Sequence, residues 1–326
     1  MSRRAVLVIA VAFVFGPAFA MAEPIPYGSE TVSFRVLPSV KDPHPLNAHV
    51  RYVGGYELTA HGTSQLDGLS DLQLTPDGDG FKVEAESDLG AVATFGLHPD
   101  GKGGMRDSPL RIDRIRNELG ATSIDRSWND AEDMAVNPET GERFLSFERI
   151  QRVMAWAPGT AWAGTPRRLP LSGLPSFPEN FGMEGLAFVH DGTGDSLLVG
   201  VESGGFWRCS LKDYACAAVD GPSPPGFMYL LTSLAPLPGK PDELLALYRY
   251  FDPFNGPRNI LTHVKLDGNK LTRVETMAKI APPLPYDNYE GVAAIKTDGG
   301  YRLYLICDGL HDGDKPKILV YDWETK

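Results

Sequence analysis

Along most of the chain, apolar and polar residues alternate in short runs, and the runs come in pairs split by Gly/Asp turns. "LQLTPDGDGFKVEAES" (Leu72–Ser87), "LAFVHDGTGDSLLVGVES" (Leu186–Ser203) and "VAAIKTDGGYRLYLICD" (Val292–Asp308) each read as strand, tight turn, strand. Period-two patterning lets one face of a strand meet a core, and glycine or aspartate supplies the left-handed dihedrals a short hairpin turn needs. Helical spacing is nearly absent; "RIDRIRNEL" (Arg111–Leu119) is the best helical candidate and reads equally as an outer strand. The pattern predicts an all-β protein.

The hairpins repeat. "NDAEDMAV" (Asn129–Val136), "NFGMEGLAF" (Asn180–Phe188) and "DNYEGVAAI" (Asp287–Ile295) each place an acid just before an apolar run, and "QLDGLSDL" (Gln65–Leu72) comes close. Each acid is followed by strand, turn, strand and a second polar signature: Asp67 leads to Asp88, Glu132 to Glu148, Glu184 to Glu202 and Glu290 to Asp308. A fifth copy runs from Ser233 in "LTSLAPL" to Arg249 in "LALYRYF", with a cation in the second position. A repeat of this length is the period of a four-stranded propeller blade. The expected architecture is a β-propeller of five to six four-stranded blades, with "YELTAH" (Tyr56–His61) able to close the ring against "KILVYDW" (Lys317–Trp323).

If each acid enters the innermost strand and the next strand runs back antiparallel, both signatures return to one face of the disc. Asp67, Glu132, Glu184 and Glu290 then ring one channel mouth, with Asp88, Glu148, Glu202 and Asp308 beside them and Arg149 and Arg249 as the cations among them. So many carboxylates repel one another unless cations or hydrogen bonds compensate. Two roles stay open: the acids ligate a hard cation such as Ca²⁺, or they accept backbone N–H bonds that lock neighbouring blades.

Arg3 and Arg4 precede the apolar run Ala5–Phe15 and the small residues of "AFAMAE", the layout of a cleaved signal peptide over residues 1–22. "SRRAVL" leaves general secretion and twin-arginine export both open. The run is short of the roughly 20 apolar residues that span a bilayer. Residues 23–326 are therefore expected as one domain, monomeric and periplasmic or secreted. Losing Arg3 and Arg4 moves the net charge from −11 to −13, which argues against nucleic acid or an anionic membrane as partner. Cys209 and Cys216 flank a hairpin turn where an oxidising compartment would let them pair, and Cys307 reads as a buried thiol.

The segments "NDAEDMAVNPETGERFLSFER", "NFGMEGLAFVHDG" with "SLLVGVES", and "DNYEGVAAI" with "YRLYLICD" resemble the phytase-like family of esterase-like activity, a domain of exported bacterial proteins. The resemblance runs from about Gly54 to Tyr321 and implies a propeller that hydrolyses phosphoesters or esters. The acids matching its motif are Glu132, Glu184 and Glu290, then Glu148, Glu202 and Asp308; this chain departs from it at Asp133, where glycine is expected, and at Ser233.

No G-x-S-x-G elbow, H-E-x-x-H helix or phosphate-loop cysteine is present. The seven histidines (His44, His49, His61, His98, His190, His263 and His311) are scattered singly, and "DGLHDGD" (Asp308–Asp314) reads as a polar turn. The consistent chemistry is metal-assisted. Ca²⁺ would be held by Glu132, Glu184, Glu290, Glu202 and Asp308, with Glu184, Arg149 and Arg249 as the catalytic candidates acting on a phosphorylated or ester small molecule. A metal-dependent lactonase of the gluconolactonase type and a non-catalytic binding propeller are the alternatives. For the latter, Phe181, Phe206, Trp207, Tyr229, Tyr250 and Tyr289 either line a pocket or pack between blades.

Overall fold

The computed structural model describes residues 30–40, 47–123, 125–202, 204–252, 254, 256–308 and 314–325. The expected signal peptide, His44, His311 and the centre of the "DGLHDGD" turn lie outside the described residues. The chain opens with β1 (Thr31–Val36) and β2 (Val50–His61). Blade 1 follows as β3 (Leu69–Asp77), β4 (Gly80–Ser87), β5 (Ala91–Leu97) and, after the two-residue β6 (Ser108–Pro109), β7 (Arg111–Arg114). A single turn of helix, α1 (Arg126–Asn129), leads into blade 2: β8 (Ala131–Val136), β9 (Arg143–Phe147), β10 (Arg152–Trp156) and β11 (Arg167–Arg168). Blade 3 is β12 (Met183–Asp191), β13 (Gly194–Val201), β14 (Phe206–Ser210) and β15 (Cys216–Val219). Blade 4 is β16 (Leu230–Leu237), β17 (Lys240–Asp252), β18 (Gly256–Asp267) and β19 (Lys270–Ile280). Blade 5 comprises β20 (Tyr289–Thr297), β21 (Gly300–Cys307) and β22 (Lys317–Glu324), completed by β2 from the start of the chain.

The count is therefore five antiparallel blades. The ring closes through β2 as expected, but over Val50–Glu57: of "YELTAH" only Tyr56 (opposite Ile318) and Glu57 (opposite Lys317) pair with β22, and Leu58–His61 pair with β1; the ends of the fold are tied by strand pairing. β1 and β6 extend the same sheet outward. The candidate helix "RIDRIRNEL" begins as β7, the outer strand of blade 1.

Each blade buries both faces, and five apolar clusters fill the five gaps between blades. Ala131, Phe147 and Trp156 meet Val92 and Ile115 between blades 1 and 2; Phe144 and Val153 meet Leu186 and Val199 between blades 2 and 3. Val189 and Leu198 meet Leu234 and Leu244 between blades 3 and 4, Leu245 and Leu261 meet Val292 and Leu303 between blades 4 and 5, and Ile306 and Val320 meet Leu72 and Val83 at the closure. Apolar burial is the dominant favourable term in folding. Here it acts between blades, so no blade is a stable unit alone.

Cys209 and Cys216 sit opposite each other in the β14–β15 ladder and form a disulfide, Cα atoms 3.9 Å apart. Cys307 is buried in β21.

Candidate metal centre at the channel mouth

The inner hairpin of every blade slips register at the same place near its start, and blade 4 slips a second time at Pro236/Leu237. In blade 3 Met183 faces Val201 while Gly185 faces Gly200, which leaves Glu184 in a bulge; in blade 5 Glu290 bulges between Tyr289 and Gly291. Blade 2 bulges by two residues, Glu132 and Asp133. A bulge leaves its residue out of the ladder and re-aims the side chain. It thereby turns the acids of blades 2, 3 and 5 out of the sheets and toward one another. The equivalent residues are Ser70 in blade 1 and Thr232 in blade 4, not the Asp67 and Ser233 suggested by aligning the motifs. Asp67 lies three residues earlier in an exposed turn and caps Gly68 N at 3.0 Å. The second signatures do coincide: Asp88, Glu148, Glu202, Arg249 and Asp308 each follow the residue that faces the start of the bulge.

The residue that follows Ser70, Glu132, Glu184, Thr232 or Glu290 sits at the axis, where five strands converge. These are Asp71, Asp133, Gly185, Ser233 and Gly291. A Cβ on Gly291 would lie 2.5 Å from Asp71 Cα, and one on Gly185 2.9 Å from Leu234 Cγ. The "EG" glycines therefore serve close approach; neither has a positive φ. Asp133 uses the space they leave. Its carboxyl accepts N–H from Met134 (2.9 Å), Leu186 (2.6 Å) and Leu234 (3.0 Å), and Asp71 accepts a second contact from Met134 (3.2 Å). Burial, then the neighbouring Asp71, hold Asp133 well above the usual range. Burial pushes Asp71 up as well. Asp133, the departure from the motif, is the hub joining blades 1 to 4.

Above the hub lies the acidic mouth. Carboxylate oxygens of Glu148, Glu184 and Glu202 fall within 4.8 Å of one another, as do those of Asp130, Glu132 and Glu148. Glu148 belongs to both groups and also accepts Gly182 N at 3.0 Å. Burial, then Glu202, raise Glu184 well above its usual range; burial, then Glu184, do the same for Glu132. Burial pushes Glu202 to about 7 and Asp88 to about 6. Glu290 and Asp308 lie apart from the two acid groups, bridged by Asn288 Nδ2 at 2.8 and 3.2 Å, and Asp308 is pushed to about 8 by burial, then Glu290.

The arginines are internal counter-ions. Arg249 binds Glu290 and Asn288 and lies 3.6 Å from Glu202. Arg149 pairs with Asp130 while holding a left-handed φ of 42°, a strained backbone of the kind that gathers at functional sites. Arg126 pairs with Asp88.

Three residues of this region escape sequence reasoning. Asp130 precedes the repeated acid by two positions, where blade 5 has Asn288 and blade 3 Gly182, so no repeat marks it. Asp71 was hidden by the misaligned first copy. Glu86 is fully buried and neither carboxyl oxygen has a partner among the described residues; burial, then Asp71, raise it well above its usual range. Since both faces of a blade are buried, alternation in "FKVEAES" could not separate Glu86 from a solvent-facing acid. Of the candidate aromatics, Phe206 and Tyr289 are core, Trp207 packs on Phe177, Tyr229 packs on Tyr250 at 5.5 Å, and Phe181 is exposed.

Fold and site together define a five-bladed propeller with a carboxylate-lined channel mouth whose donors suit a hard cation. The chain belongs to the phytase-like family, described by esterase-like activity of phytase, whose model matches residues 64–309. No curated protein matches it at a significant level. Among solved structures, the major allergen Mala s 1 of Malassezia sympodialis is similar at 12% identity over 83% of this chain and 87% of that one, with a TM-score of 0.45. The GH43 protein BlXynB of Bacillus licheniformis is similar at 10% identity over 79% of this chain and 53% of that one, TM-score 0.47. Neither likeness bears on the chemistry of the site. Among the described residues no helix is long and apolar enough to cross a membrane.

Proposed function

We propose that the protein is an exported, metal-assisted hydrolase of small phosphoesters or esters that acts at the channel mouth. The observation that carries this reading is the Glu148–Glu184–Glu202 group. Its ligand atoms lie within 4.8 Å of one another, the spread of oxygens sharing one Ca²⁺ at about 2.4 Å each. Burial raises the proton affinity of all three, and Arg249 offsets it only in part, so a further cation at the group would be favourable. The unpartnered Oδ1 of Asp88 and both oxygens of Glu86 nearby show the same excess of acceptors. The disulfide supports an oxidising compartment.

Glu148, Glu184 and Glu202 would hold the ion, with Glu290 and Asp308 at its flank. When bound, Ca²⁺ supplies Lewis-acid polarisation of an ester or phosphoryl oxygen. Glu132 and Asp130 stand beside this group and orient an attacking water. Glu132, whose affinity for a proton is raised, is suited to accept the proton that the water releases. Arg149, part-exposed at the rim, is placed to meet a phosphoryl group. Arg249, enclosed by Glu290, Glu202 and Asn288, limits repulsion among the acids.

The test is turnover of p-nitrophenyl phosphate, p-nitrophenyl acetate and a γ-lactone by the mature protein, with calcium or with chelator, beside Glu184→Gln. Calcium-dependent turnover of either nitrophenyl ester, abolished in the variant, is the expected result. Preference for the lactone would reassign the protein as a lactonase. Absence of turnover from all three, or turnover indifferent to chelator, would sink the metal-hydrolase reading.

A further inference from the structure

A small pocket lies between blades 1 and 2. Ile115, Asn117 and Ser123 from the segment after β7, Trp128 and Asn129 of α1, and Arg152 at the start of β10 line it. It has about 20 Å³ of room, enough for one particle of about water's size. Among the described residues no carboxylate lines it.

Arg152 is 6% exposed and forms no ion pair among the described residues. Its guanidinium donates to Ile150 O at 2.7 Å and to Trp128 O, and stands 3.9 Å from the ring centroid of Phe147 and 5.3 Å from that of Trp128. Carbonyls and aromatic faces hold a cation without neutralising it, whereas a buried charge is ordinarily paired. The Nε of Arg152 is buried and has no hydrogen-bond partner. Arg168, opposite Met154 on the same face of blade 2, repels it, and the exposed Glu118 exerts only a weaker opposing pull; burial, then Arg168, lower its pKa to about 10.

The other polar groups of the lining can donate as well. Asn117 Oδ1 accepts N–H from Leu119 and Ala121, both at 3.0 Å, so its remaining polar atom is the donor Nδ2. Ser123 Oγ accepts Asp125 N at 3.0 Å, which leaves its O–H as a donor. Arg116 adds a second guanidinium to the lining. A water would bring two more donors to this wall of donors, whereas an anion accepts from all of it.

We propose that the pocket binds one small monovalent inorganic anion, chloride, as the counter-ion of Arg152. The room suits a single spherical ion rather than a tetrahedral oxyanion. Trp128 O lies two residues before Asp130 and Ile150 O two residues after Glu148. The anion therefore steadies the arginine that ties together the two segments bringing these acids to the mouth. The binding does not depend on the hydrolase reading.

The test is thermal unfolding of the mature protein at pH 7, in chelator and at constant ionic strength, with chloride replaced stepwise by gluconate, an anion too large for the pocket. Above the dissociation constant, each tenfold rise in chloride should lift Tm by about 2 °C, the effect of about 1.4 kcal/mol of mass-action linkage on a domain of about 300 residues. Asn117→Asp keeps an acceptor for Leu119 and Ala121 N–H but puts a carboxylate in the lining. It should abolish the chloride dependence and hold Tm in gluconate at or above the wild-type value there. Arg152→Gln should abolish the dependence at a lower Tm; if that variant does not fold, Asn117→Asp decides alone. A wild-type Tm indifferent to chloride, the mark of a water in the pocket, overturns the proposal. An undiminished chloride response in Asn117→Asp does so too.

Discussion

Raising pH in the presence of chelator should destabilise this protein, and Glu202 sets the scale. Its carboxyl, 8% exposed, is pushed from the ordinary 4.5 to about 7, first by burial, with Arg249 partly opposing. An acid that binds its proton more tightly when folded adds stability that is complete below its unfolded pKa and is lost as pH rises through the folded one. The window is therefore about pH 4.5 to 7, and a shift of this size is worth about 3 kcal/mol. For a domain of about 300 residues, with an unfolding entropy near 0.6 kcal/mol per kelvin, that is roughly 5 °C in Tm. Calcium reverses the trend, because deprotonated ligands bind it better, and at a hundredfold excess over Kd it adds about 2.7 kcal/mol. Differential scanning calorimetry at pH 5, 6, 7 and 8, with calcium and with chelator, should give one curve that rises or stays level and one that falls. Glu202→Gln should make the falling curve shallower, the other raised acids of the mouth keeping part of the slope. Parallel curves for calcium and chelator, or a wild-type profile in chelator that does not fall between pH 5 and 7, would refute the reasoning.

Further outcomes follow from the same geometry. Glu184→Gln should abolish calcium-dependent thermal stabilisation while the chelated protein keeps its fold; an equal drop in Tm with and without calcium would assign Glu184 to blade locking alone. Asp133→Ala strands the N–H groups of Leu186 and Leu234, while Met134 keeps Asp71, and should cost about 2–6 kcal/mol at about 1–3 per buried donor, read as a lower urea midpoint. Asp133→Asn keeps one acceptor oxygen and should cost less than half as much. Gly291→Ala, whose Cβ meets Asp71 Cα at 2.5 Å, should lose at least 2 kcal/mol through overpacking of backbone that cannot yield, whereas Gly192→Ala, with nothing within 4 Å, should leave the midpoint unchanged.

Much of the scaffold was legible in the chain. Period-two alternation with Gly/Asp turns requires hairpins, because a strand's side chains alternate by geometry and a tight turn needs left-handed dihedrals. Their repetition with one acid and one later polar residue required blades, and the second signatures from Asp88 to Asp308 fell into true register. Local patterning also pointed to the closing strand, through Tyr56 and Glu57 at the end of its pairing with β22, and to the pairing of Cys209 with Cys216.

The tertiary structure decided what happens where blades meet. Which residue of a repeat turns to the channel depends on a bulge, and a bulge is a register slip between two strands that no single strand encodes. Hence the first copy reads as Asp67 while Ser70 occupies the bulge. Asp133 reads as a lapse from "EG", yet it accepts N–H groups from three blades, because the five strands converge at the axis and only there do Leu186 and Leu234 aim their donors at one point. Glu86, Asp130 and Arg152 were silent for the same reason. A charge's meaning depends on whether a counter-charge lies beside it in space, and in a ring of five blades those neighbours come from residues tens of positions apart.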